Sequence, residues 1–74
     1  MNEEKIKDFH SQFALISKYL TYVAIDLDNI VYGDITATDS YTKSIKKEVE
    51  EHTYKLNLAV KDLQKMIKKE ILQE

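Results

Sequence analysis

Two histidines, one acidic run and one lysine cluster are the places where this sequence could do chemistry. His52 is followed by no second ligand at helical spacing, and the nearest acid before it on the same helix face, Glu48, lies four residues back. Di-iron helical bundles need glutamate three residues before histidine, and position 49 is Val49. His52 is therefore expected to be a core histidine hydrogen-bonded to a neighbour, with a metal-ligand or pH-switch role as the sharper alternative. His10 is expected to lie beside the core and in solvent. The run Asp26-Leu27-Asp28-Asn29 begins like a calcium loop. Ile30 and Val31 then stand where a ligand and a glycine are needed, and Ala37 where the bidentate glutamate belongs. These acids are expected to line a solvated helix face. Lys61, Lys65, Lys68 and Lys69 could touch phosphates, but Asp62 and Glu70 among them mark a mixed solvated surface.

No nucleophile has a base at readable spacing, and one glycine cannot make a phosphate loop. The expectation is a non-enzymatic protein with no catalytic residue, cofactor or metal. Arginine is absent, which disfavours sequence-specific nucleic-acid binding, because base and phosphate readout leans on its planar fork.

The elements that would carry these residues follow from composition. The chain has 74 residues, no cysteine, no proline and a single glycine, Gly33. Without breakers, a few long helices are favoured over many strands. The longest apolar run, Phe13 to Ile16, is far too short to span a bilayer. The start, Met1-Asn2-Glu3-Glu4, is polar and acidic, unlike a secretory signal. A cytoplasmic, water-soluble protein is expected. The Lys-, Ile-, Tyr- and Asp-rich composition without arginine suggests a low-GC bacterium, its phage or a mobile element.

Ile6, Phe9, Phe13, Ile16, Leu20, Val23, Leu27 and Ile30 alternate at spacings of three and four. That is a heptad stripe, the mark of a helix with a coiled-coil seam. Ile45, Val49, His52, Leu56, Ala59 or Val60, Leu63, Met66 or Ile67, and Ile71 form a second stripe. Asn2 is the expected N-cap of the first helix and Gly33 its end. Thr36, Thr38 and Asp39 are candidate caps for the second. The spacing predicts one all-α domain over 1–74: helix 1 over about 3–32, a turn over about 33–39 and helix 2 over about 40–72. Such a short connection makes the helices antiparallel neighbours. Pairing Ile30 with Ile45, Leu27 with Val49, Val23 with His52 and Leu20 with Leu56 keeps both stripes in phase to their ends. Residues 1–40 hold three lysines against seven acids, and residues 41–74 eight lysines against six acids, so the halves attract.

A second apolar stripe on helix 1, Leu15, Tyr22, Ile25 and Tyr32, lies roughly opposite the first. Tyr54 and Leu58 are its weaker counterpart on helix 2. A helix apolar on two faces is covered on both, and a chain this short has little core of its own. These six residues are the expected interface. The cover is expected to be a second copy, giving a homodimeric four-helix bundle, or another protein that this small regulatory, inhibitory or adaptor chain binds. No membrane contact is expected.

The segment Leu27 to Ile35, with Gly33-Asp34-Ile35 as a turn and Ile30, Leu27 and Val23 before it, resembles the small subunit of exonuclease VII. Ile30-Val31 replaces that family's Leu-Glu, Thr36-Ala37-Thr38 its Pro-Leu-Glu, and its Phe-Glu-x-Gly is missing. The resemblance implies an accessory, non-catalytic subunit bound to a large nuclease subunit.

Overall fold

The computed structural model describes the backbone of residues 1–36 and 39–72 and the side chains of residues 1–32 and 43–72. Helix α1 runs Glu3–Thr36 and helix α2 Asp39–Ile67, closed by a π-helical turn, Lys68–Leu72. Every described element is helical, and the two helices pack side by side as an antiparallel hairpin. Its extents are 51 × 20 × 13 Å, two helices wide and one thick. Thirty-four residues rising about 1.5 Å each account for the long dimension.

Asn2 caps α1: its Oδ1 accepts the Lys5 amide at 2.9 Å, and its carbonyl accepts the Ile6 amide at 3.1 Å. An asparagine oxygen here satisfies an amide with no partner inside the helix. Glu3 and Glu4 add favourable charge at the positive end of the helix. Gly33 does not end α1, which continues to Thr36. One glycine in a helix costs about 1 kcal/mol, and no proline follows to stop the chain. Thr36 is thus the last residue of α1 and Asp39 the first of α2, while Thr38 lies outside the described residues.

The antiparallel register agrees with the sequence. Lys5 meets Glu70, Gln12 meets Ala59, Tyr19 meets Lys55 and Asp26 meets His52. The face that α1 turns to α2 differs from the sequence expectation. Phe9, Ile16, Val23 and Ile30 face the seam, but Ile6, Phe13, Leu20 and Leu27 are exposed. Their places are taken by Lys5, Gln12, Tyr19 and Asp26, all buried or half-buried. These polar residues can take them because each finds a partner on α2 or its closing turn. On α2 the predicted stripe stands, with Ala59 rather than Val60 inward, and with Glu70 rather than Ile71 at the end. Among the described residues the buried apolar core is Phe9, Ile45 and Ala59, and no large side chain is fully enclosed.

Candidate functional site

Polar contacts organise the seam. Asp26 is 4% exposed, the one buried charged residue among those described. Its Oδ2 lies 2.6 Å from His52 Nδ1, and the Tyr22 ring packs 5.1 Å from the imidazole. His52 is thus hydrogen-bonded to a neighbour, but the neighbour is Asp26, not the apolar Val23 side of the seam. The expectation that Asp26 lines a solvated face is corrected: it sits one turn beyond Val23, in reach of the one seam group that needs a polar mate. Asp28 and His10 are exposed, the latter against the Phe13 ring at 6.1 Å. Gln12 Nε2 donates to the Ala59 carbonyl at 2.7 Å, across a point where Ala59 is 2% exposed. The small alanine lets the helix backbones come close enough for that reach. Among the described residues no buried side-chain nitrogen or oxygen lacks a partner.

One broad face of the hairpin carries stacked rings and charges. Tyr19 and Tyr22 meet edge-on at 6.1 Å, with the Lys18 ammonium over both rings and that of Lys55 over Tyr19. A cation over a ring face is attracted by its quadrupole. Lys55 also pairs with Glu51 one turn back at 3.1 Å. That hydrogen bond, and then the opposite charge, hold the Glu51 carboxyl below the usual glutamate range and raise Lys55. Glu70 raises Lys5 in the same way at the open end of the hairpin, where the two are 3.1 Å apart. The Lys55–Glu51 pair is exposed and the Lys5–Glu70 pair is partly so, and such pairs contribute little to stability. A depressed carboxyl contributes above its unfolded-state pKa and loses its effect as pH falls through the folded value. Changing Lys55 to methionine is expected to move the Glu51 titration upward, as read by carboxyl-carbon NMR. A midpoint that stays put would mean the pair does not persist in solution.

No family model, no curated protein and no solved structure matches this chain.

The six residues expected at an interface are all exposed. Leu15 and Tyr22 stand beside the seam on the ring-and-charge face, with Tyr22 leaning onto His52. Ile25 and Tyr32 are farther round α1, half and mostly exposed. Tyr54 and Leu58 on α2 are exposed. The sequence reading placed Phe13, Leu20 and Leu27 in the seam and so missed them as surface. Gly33-Asp34-Ile35, a turn in the exonuclease VII resemblance, lies within α1. Among the described residues no group of three or more histidines and acids is placed to hold a metal ion. No described helix is long and apolar enough to cross a membrane.

Proposed function

We propose that this chain is a small, non-enzymatic protein–protein interaction module, a cytoplasmic regulatory or adaptor protein acting by helix packing. In this reading the hairpin completes its core as a homodimeric four-helix bundle and offers its remaining apolar flank to another protein. The observation that carries it is the mismatch between inside and outside. Among the described residues three apolar side chains are buried, while Ile6, Phe13, Leu20, Ile25, Leu27 and Tyr32 on α1 alone stand 43% to 70% exposed. Apolar surface of that extent on so thin a rod marks an interaction site. The aromatic and branched flank of Leu15, Tyr22 and Ile25 supplies anchoring side chains of the kind that dominate interfaces.

The test is a double variant, Tyr22→Glu with Ile25→Glu, compared with the parent by light scattering and by capture of partners from a bacterial extract. The variant is expected to lose captured protein or assembled mass. Unchanged mass together with unchanged capture would defeat the reading.

A further inference from the structure

Each helix carries a row of residues that directly follow seam residues. On α1 the row is Ile6, Phe13, Leu20 and Leu27, after Lys5, Gln12, Tyr19 and Asp26. On α2 it is Thr53, Val60 and Ile67, after His52, Ala59 and Met66. One residue is a step of about 100° around a right-handed helix. In an antiparallel pair, equal steps away from facing seams carry both rows to the same broad side. The residues that precede seam positions make the opposite side, and the contacts of Lys18 and Lys55 with Tyr19 place that side as the ring-and-charge face.

The two sides differ in charge. Beyond the first rows, the middle of the apolar side is completed by Ser17 and Ala24 on α1 and by Asn57 and Gln64 on α2. From Phe13 to Leu27 and from Thr53 to Ile67, this side has no charged residue, in a chain of which 32% is charged. The opposite side carries Lys18, Glu48, Glu51, Lys55, Asp62 and Lys65.

The direction of the apolar stripe on α1 says what lies beyond. Phe9, Phe13, Ile16, Leu20, Val23 and Leu27 centre about 50° away from the line to α2, counted at 3.6 residues per turn. In a four-helix bundle the helices stand near the corners of a square, so the bundle axis lies about 45° from the line joining neighbours. Helix α1 therefore aims its apolar stripe where a second layer of two helices would close a bundle. It also explains why a lone hairpin turns its polar column, Lys5, Gln12, Tyr19 and Asp26, to α2 while leaving the apolar column outside.

We infer that the side bearing Phe13, Leu20, Leu27 and Val60 is the homodimer interface, covered by the same side of a second copy. The inference deepens the function proposed above and rests on it for helix packing as the mode of contact. A charge-free side offers a charged partner nothing to address, but it complements itself, as a two-fold interface must. Phe13, Leu20, Leu27 and Val60 on this side stand 37% to 57% exposed, a contiguous apolar surface of the kind that marks an interaction site. The ring-and-charge face then remains open on the outside of the assembled bundle.

Sedimentation of the parent, Leu20→Glu and Tyr22→Glu over a range of concentrations tests this, with helicity followed by circular dichroism. The parent and Tyr22→Glu are expected to sediment at twice the 8.7 kDa chain mass. Leu20→Glu is expected to dissociate at about 100-fold higher concentration, because a carboxylate without a partner is costly to bury. Leu20→Glu could lose its fold, so the parent is also read directly. In a mixture of isotope-labelled and unlabelled chains, intermolecular NOEs are expected from the methyls of Leu20, Leu27 and Val60. A dimer whose intermolecular NOEs come from Leu15 and Ile25 overturns this face and leaves the proposed function standing. A fully helical parent that stays monomeric at every concentration overturns the homodimer, while partner docking on the Tyr22–Ile25 flank is judged by its own double variant.

Discussion

Replacing His52 with leucine is expected to cost about 3 kcal/mol in unfolding free energy, more than the reciprocal change Asp26→Leu. The asymmetry comes from what each substitution leaves behind. His52→Leu leaves the Asp26 carboxylate, with 6% of its side chain exposed, without its donor at 2.6 Å. Removing one partner of a buried pair carries the full cost of the uncompensated charge. Asp26→Leu leaves an imidazole with 25% of its side chain exposed, and water can replace the lost acceptor. A cost of about 1–2 kcal/mol is the expected scale there. The double variant with leucine at both positions is expected to return close to the parent, since apolar replacement of a buried pair is often neutral. Denaturant midpoints at one fixed protein concentration give all three values. If Asp26→Leu costs more than His52→Leu, the pair is not arranged with the acid inside.

Phe9→Ala is the second large effect, expected at about 3 kcal/mol. Phe9 is buried, one of three such apolar residues among those described, and its ring meets Phe13 at 6.2 Å. Truncating a buried phenylalanine removes its transfer energy and leaves a cavity, together about 3–5 kcal/mol in well-closed cores. The lower end applies because no large side chain among the described residues is fully enclosed. Thermal unfolding followed by circular dichroism measures it. A loss smaller than about 1 kcal/mol, the scale of an ordinary surface change, would show that the space around Phe9 is open to water.

The hairpin itself was legible in the sequence because heptad spacing reports the phase and length of an apolar stripe, and two stripes of matched length pair in one register. Lys5 beside Glu70 and Asp26 beside His52 bear that register out. The rotation of α1 was not legible. A stripe containing Phe9, Phe13, Ile16 and Leu20 says that this arc of the helix avoids water, but not which part faces the neighbouring helix. That division depends on whether Gln12, Tyr19 and Asp26 find partners across the seam, which needs three-dimensional placement. Asp26 left one usable signal: a histidine in a seam requires a polar mate, and Asp26 is the acid closest to its register position. The end of α1 was not legible at Gly33 because a glycine that suits a left-handed cap also fits a helix at modest cost.

A repeat of seven residues would, by itself, let one helix slide past the other in whole-heptad jumps with every apolar contact restored. The Asp26–His52 pair forbids that degeneracy. Slipped by one repeat in either direction, the Asp26 carboxylate would be set against Ile45 or Ala59, both enclosed and unable to donate a side-chain proton. A single hydrogen-bonded rivet thus converts a zipper with several equivalent stops into a ruler with one zero mark, fixing which side chains stand opposite one another along all 51 Å of its length.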